Sequence, residues 1–319
     1  MKYLEFINSL IKNKISKSEN LVLFGQNITA GSCLGGLTRG LPTGNGVRAI
    51  NTTNSENSLC GFGFGLMMNN VSSIFFMKQL DFLLLGIDHL VNTYNIIRNT
   101  DLLQNGSFTI MPIIVDNGFQ GPQSSLNNFG DFCSIARIDG YTITNKIDAE
   151  KIINTKLTSP GFKIIAISQR LFKEEIIDPG KIISGNYENT IFQYSDGIDV
   201  TIVSFNFAFP YGWEILQNFK QINVSASFFN VNSPTPTNWE TILNNVTKTR
   251  KLIIIDDSKS KNLACDTLIA DICMRCDLKM KIVVKRRLAE NWLNPVSDIF
   301  EIDFAAIINE FKTTCHAKN

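Results

Sequence analysis

The chain has 319 residues, 44% hydrophobic and 18% charged, with 30 Lys and Arg against 29 Asp and Glu. That length suits two domains, each able to bury a substantial core, and the balanced charge offers no basic field to nucleic acid or an anionic membrane surface. No window approaches the roughly 18–20 uninterrupted apolar residues of a spanning helix, and the first twenty residues lack the continuous apolar core of a signal peptide, so a cytoplasmic protein is expected.

In chain order, Leu4, Ile7, Leu10 or Ile11 and Ile15 share one stripe of an amphipathic helix over 3–16, and "NLVLFG" at 20–25 reads as a short buried strand. The loop "GQNITAGSCLGGLTRGLPTGNG" follows. It suggests a phosphate cradle, but it holds neither GxxxxGK[ST] nor GxGxxG opening a helix, and a loop over a site is an equal reading. Next come strand "VRAINTT", a glycine-bearing helix at 55–69, strand "SSIFFMKQL", helix "FLLLGIDHLVNTYNIIRN" and strand "FTIMPIIVDN". A polar loop at 117–130 precedes strand "GYTIT", helix "DAEKIINTKL" and strand "FKIIAIS". Residues 176–198 mix turn residues with short apolar runs and read as a linker. A second alternation then begins at "DVTIVSFN" and continues through "YGWEILQNFK", "NVSASFFNV", "NWETILNNVTK", "KLIIIDD", "NLACDTLIADICMRC" and "KMKIVVKR" to a last helix near "FAAIINEF".

Strands alternating with helices predict an α/β chain of two domains, each a mostly parallel sheet covered by helices. The expected division is 1–175, a linker at 176–198, and 199–319. Seven scattered cysteines argue for reduced thiols. Cys273 and Cys276 form one CxxC, but without a second such pair, and with only His89 and His316 available, they read as buried core cysteines on a shared helix face and not as metal ligands.

Within the helix at 55–69 stands a single acid, Glu56, followed by Gly61, Gly63 and Gly65. Asn54 or Ser55 is placed to cap this helix, so Glu56 falls in its first turn at the carboxyl end of a parallel strand, where open α/β sheets bind ligands. A first-turn glutamate also complements the helix dipole, worth about 0.3–1 kcal/mol. Glycines cost about 1 kcal/mol each inside a helix relative to alanine, so three at alternate positions call for a packing reason.

"RAINTTNSENSLCGFGFGLMM", followed by "FLLLGIDHLVN" with Phe82, Asp88 and Asn92, resembles the β subunit of the 2-oxo-acid (pyruvate type) dehydrogenase first component. That subunit lies within the transketolase-like family of thiamine diphosphate enzymes. "FFNVNSPTPTNWETI" and "VTKTRKLIIIDDS" continue the likeness in order, so it spans nearly the whole chain. The resemblance implies a pyrimidine-binding domain followed by a transketolase C-terminal domain. It makes Glu56 the catalytic residue that bonds the aminopyrimidine ring of thiamine diphosphate and promotes the tautomer that takes the thiazolium proton. It also places Leu80 and Phe82 beside that ring.

The G-D-G and downstream Asn that hold Mg and the diphosphate in this family do not occur here; "SDG" at 195–197 precedes a strand and is a decoy. The resemblance therefore implies an α-type partner that binds most of the Mg and diphosphate, an α2β2 assembly, and self-association of the β chains. Three departures bear on the reaction. Gln26 and Asn27 stand where the family has an acid pair, Gln123 where it has a loop histidine, and Leu80 where it has an aromatic ring. An amide keeps a polar contact but cannot act as a general base. Two functions follow: a β-type subunit of an enzyme that decarboxylates a 2-oxo acid or transfers the resulting acyl or ketol unit, or a non-catalytic scaffold or regulatory partner of an α-type chain. A generic nucleotide-binding α/β protein fares worst, because no phosphate loop fits.

Overall fold

The computed structural model describes residues 1–100, 105–117, 128–186, 188–235, 238–260, 263–285 and 301–316. The first half is built on β1 (Leu21–Gly25), β2 (Val47–Asn51), β3 (Ser72–Met77), β4 (Ser107–Ile114), β5 (Asp139–Thr142) and β6 (Gly161–Ser168). These strands are parallel throughout, in the order β2-β1-β3-β4-β6-β5. The central strand β4 is buried at every residue, as both covered faces of a parallel sheet require. Pro112 lies inside it, where a missing N–H would break a ladder. The β4–β6 pairing steps from Ile110–Ile164 to Ile113–Ile167, and the proline falls in that gap.

The second half is built on β7 (Ser184–Gly185), β8 (Ile191–Ser195), β9 (Val200–Phe205), β10 (Ala226–Val231), β11 (Lys251–Asp256) and β12 (Met280–Lys285). Their order is β12-β11-β9-β10-β8-β7, with β7 and β8 antiparallel to their neighbours and the rest parallel. Both β7 and β8 lie within the 176–198 span. Residues 191–194 of β8 are buried, because Phe192 and Tyr194 pack into the apolar core.

Helices cover the sheets. Helix α1 (Tyr3–Ile15) buries Tyr3, Ile7, Ile11 and Ile15 along one i, i+4 stripe; the expected stripe holds at Ile7, Ile11 and Ile15, while Tyr3 takes the place of Leu4, which is half-buried. Helix α2 (Glu56–Met68) follows β2. The single helix expected over 82–99 is instead broken into a 3-10 turn at Leu80–Gly86, a π turn at His89–Thr93 and the short α3 (Tyr94–Arg98). Gly86 explains part of the break, since a Cβ there would lie 2.5 Å from Cys60 Sγ on α2. Helix α4 (Phe129–Ala136), for which the sequence reading provided no element, buries Phe129, Phe132, Cys133 and Ala136. Next in order are α5 (Lys146–Lys156), α6 (Phe209–Gln221), α7 (Glu240–Thr249), α8 (Ala264–Arg275) and α9 (Phe304–His316).

On α8 the inward face is Cys265, Leu268 and Ile272. That phase leaves Cys273 exposed and Cys276 half-buried, which corrects the expectation that both are core cysteines.

The carboxyl ends of the two sheets face each other through polar contacts. Thr142, closing β5, donates its N–H to Asn232 O at 2.7 Å and its hydroxyl to Asn206 O at 3.2 Å. Asn232 Nδ2 returns to Thr142 O at 2.8 Å and to Asp148 Oδ2 at 2.7 Å. Burial pushes the Asp148 carboxyl up to about 6, against the donors that Thr144, Asn145 and Asn232 supply.

Candidate functional site

The chain leaves β1 toward β2 on one side, while β3 leads to β4 on the other. In a parallel sheet this reversal opens a crevice at the carboxyl ends of the strands involved. Gly25 ends β1 at φ +147°, and a Cβ there would come within 2.2 Å of Phe76 O, so only glycine lets β1 turn out at this point. Gln26 is half-buried and Asn27 exposed, with Asn27 at φ +58°. The loop beyond them is tied down by Asn51 at the end of β2, whose Nδ2 donates to Thr29 Oγ1 at 2.5 Å and whose Oδ1 accepts from Thr29 N at 3.1 Å.

Glu56 is the first residue of α2 and is only 8% exposed. Its carboxylate has no hydrogen-bond or ion-pair partner among the described residues. Ser55 occupies the cap position, but its hydroxyl donates to Ser58 Oγ at 2.9 Å and makes no cap bond. The helix start therefore keeps free N–H groups beside an unpartnered acid. One turn on, the Cys60 thiol is pushed up to about 12 by burial and by the Glu56 charge.

The glycines of α2 divide by position. A Cβ on Gly63 would lie 2.3 Å from the Phe108 ring, and one on Gly61 would lie 3.0 Å from His89 Nε2; Gly65 has nothing within 4 Å. The packing explanation thus holds at Gly63 and Gly61 and not at Gly65. His89 Nδ1 bonds Thr93 Oγ1 at 2.9 Å inside the π turn, and Asn92 Nδ2 donates to Asp88 Oδ1 at 2.7 Å.

After β3, Leu80 is wholly buried and Phe82 half-buried. Between them Asp81 is 6% exposed, and neither carboxylate oxygen has a hydrogen-bond partner among the described residues. Burial pushes its carboxyl up to about 6, with Lys259 opposing the rise. Sequence reading passed over Asp81. An acid directly after a strand rich in buried aromatics was the available signal. Gln123 lies outside the described residues.

A second charged group sits where β4 and β6 end. Arg170 Nη2 donates to Asp257 Oδ2 at 2.6 Å and its Nε lies 3.8 Å from Asp116 Oδ2, with all three side chains at most 14% exposed. Asp116 also accepts from Ser168 Oγ at 2.6 Å and Arg170 N at 2.9 Å. Among the described residues no group of His, Cys, Asp and Glu gathers in the number a metal ion needs.

No family model matches the chain. In sequence it is 23% identical over 279 residues to the mitochondrial pyruvate dehydrogenase E1 component subunit beta of Dictyostelium discoideum, covering 79% of this chain and 72% of that protein. It is 23% identical over 267 residues to the corresponding subunit of Acholeplasma laidlawii, covering 80% and 79%. With that of Staphylococcus aureus it shares 18% over 306 residues, covering 92% and 91%. The chain resembles the E1 β subunits of pyruvate dehydrogenase. In structure, a split gene transketolase described as an inactive β4 tetramer superposes with a TM-score of 0.67 at 11% identity, covering 99% of this chain and 98% of that one.

The two helix-covered, mostly parallel sheets of this E1 β-like chain are therefore a transketolase-like α/β fold. Within it, Gln26, Glu56 and the pair Asp81 and Phe82 follow the carboxyl ends of β1, β2 and β3 in turn, and Leu80 packs into the core.

Proposed function

We propose that the chain is the β-type subunit of a thiamine diphosphate-dependent enzyme that decarboxylates a 2-oxo acid or transfers the resulting acyl or ketol unit, with Glu56 activating the cofactor. The observation that carries this reading is the Glu56 carboxylate: buried, without a partner among the described residues, and at the rim of the switch-point crevice. A buried acid with no partner is costly unless a ligand completes it. Glu56 would accept a hydrogen bond from a ring nitrogen of the aminopyrimidine and hold the proton shared between them. When bound, the cofactor supplies the electron sink that carbon–carbon cleavage needs. Phe82 provides a half-buried aromatic wall, and Leu80 supports it from within the core. An α-type chain carrying G-D-G would supply the Mg and diphosphate half of the site, in an α2β2 assembly with paired β chains.

Gln26 and Asn27 favour a second reading. They place amides where the resemblance calls for acids, so this chain brings fewer proton-transfer groups, as a scaffold or regulatory partner would. Co-expression with an α-type chain separates the two: thiamine diphosphate binding and 2-oxo-acid decarboxylation are measured with and without Glu56→Gln. The catalytic reading expects cofactor retention with turnover lower by about 10²- to 10⁴-fold. Unchanged turnover in Glu56→Gln would make the chain a scaffold.

A further inference from the structure

We propose that the cleft between α1 and the glycine-rich loop binds an organic di- or triphosphate bearing a flat ring, of the nucleoside diphosphate class. This site is separate from the Glu56 crevice and does not depend on the function proposed above.

The cleft holds about 510 Å³ and is lined by Lys2, Lys12, Arg39 and Lys173, with Glu5 as its one acid. In a chain of net charge +1 this is a concentrated positive field. Glu5 is already engaged as the cap of α1, where its Oε2 accepts from Lys2 N at 3.1 Å. Lys2 Nζ is paired to Glu175 Oε1 at 3.1 Å. Lys12, Arg39 and Lys173 have no ion-pair partner among the described residues.

The loop wall is built at a cost. Cys33, Leu34, Gly35 and Gly36 run consecutively at φ +50°, +53°, +71° and +110°. Left-handed backbone at a non-glycine residue costs about 1–2 kcal/mol, and a leucine there is an outlier that something must hold. Asn8 of α1 holds it, donating from Nδ2 to Leu37 O at 2.8 Å and to Arg39 O at 3.2 Å. The outcome is a wall without side chains. A Cβ on Gly36 would sit 3.4 Å from Leu4 Cδ2, and one on Gly35 would sit 3.4 Å from Phe172 Cε2, so side chains at these two positions would fill the cleft.

Cations around a thin backbone wall suit phosphate groups, with the Arg39 fork able to take two oxygens at once and Lys12 and Lys173 acting as point charges. Leu4 and the half-buried Phe172 ring give an apolar floor on which a ring can stack.

Titration calorimetry of the full chain with ADP, with inorganic pyrophosphate and with thiamine diphosphate tests this. Saturable ADP binding is expected. Lys12→Gln with Arg39→Gln should weaken it by about tenfold or more, the worth of one charge-assisted contact. Lys14→Gln with Lys17→Gln removes the same charge from a neighbouring pocket and should leave ADP binding unchanged. Phe172→Ala should weaken ADP several-fold and spare pyrophosphate. Absence of saturable ADP binding, equal losses in the two lysine-bearing double variants, or ADP affinity lowered by Glu56→Gln and competed by thiamine diphosphate would each overturn the proposal. Pyrophosphate binding as tightly as ADP would overturn the organic part of the ligand.

Discussion

Replacing Arg170 with methionine removes the charge at the junction of the two sheets while keeping comparable volume. In the native chain its guanidinium donates to Asp257 Oδ2 at 2.6 Å, Tyr211 Oη at 3.0 Å and Phe207 O at 3.3 Å, and lies 5.3 Å from the Tyr211 ring centre. The variant would keep Asp116 and Asp257, whose side chains are 4% and 2% exposed, without the Arg170 guanidinium. Breaking a buried pair from one side typically costs about 3–5 kcal/mol, because the remaining charge has no solvent to replace its partner. Residual donors reduce that figure only in part: Asp116 keeps Ser168 Oγ, and Asp257 keeps Phe207 N at 3.2 Å. A buried carboxylate that loses its cation favours its protonated form. A carboxyl with a raised folded pKa contributes its stability at low pH and loses it as pH climbs through that pKa, so the deficit of the variant should shrink as pH falls from 8 to 5. Urea denaturation across that range measures it, and adding Asp257→Asn should restore more than half of the loss at pH 8. A deficit below about 1 kcal/mol, or one that grows on acidification, would refute the electrostatic account.

Two further substitutions separate packing from electrostatics. Gly63→Val pushes a side chain into the Phe108 ring, which packs against the Phe24, Phe64 and Phe162 rings at centroid distances of 6.2, 5.0 and 5.2 Å, so a loss of at least about 1–3 kcal/mol is expected. Gly65→Ala on the same helix meets nothing within 4 Å and should stabilise by up to about 1 kcal/mol; thermal melts with equal shifts at both positions would sink this distinction. Asp81→Asn should raise stability by about 1–2 kcal/mol at pH 7 and change nothing below pH 4. The sign follows from the Asp81 carboxyl being pushed up to about 6: its contribution is present in acid and lost above that point. Denaturant midpoints against pH would show the two curves parallel if Asp81 were ordinary.

Periodicity carried most of the fold into view. Strands such as β4 and β11 carry the apolar runs 110–114 and 252–255 because both faces are covered, and α1 shows its stripe because its other face meets solvent. What escaped has local causes. The helix expected over 82–99 is broken where Gly86 meets Cys60 and His89 meets Gly61, contacts between elements that no window of one segment reveals. The exposure of Cys273 was lost by treating positions three apart as one face; α8 takes its phase from Cys265, Leu268 and Ile272. Glu56 stood out as a lone acid among glycines. Asp81 did not, since only its burial and missing partners set it apart.

The pattern of contacts across the first sheet bears on the proposed partner. Polar links to the second sheet leave from Thr142 on β5 and Arg170 after β6, at one end of the strand order β2-β1-β3-β4-β6-β5. The carboxyl ends of the other half bear Gln26, Glu56 and Asp81. On α2 and the 3-10 turn that follow β2 and β3, Phe62, Leu84 and Leu85 remain 43%, 56% and 64% exposed. An α-type chain laid on that half would cover these side chains and supply diphosphate ligands to the crevice in the same step. Polar replacement of Leu84 and Leu85 should therefore abolish co-purification with such a chain and leave the melting temperature of the β chain alone unchanged. A partner that still binds the doubly substituted chain would have to use another face, and Glu56 would then lie too far from the diphosphate half to serve as the activating acid.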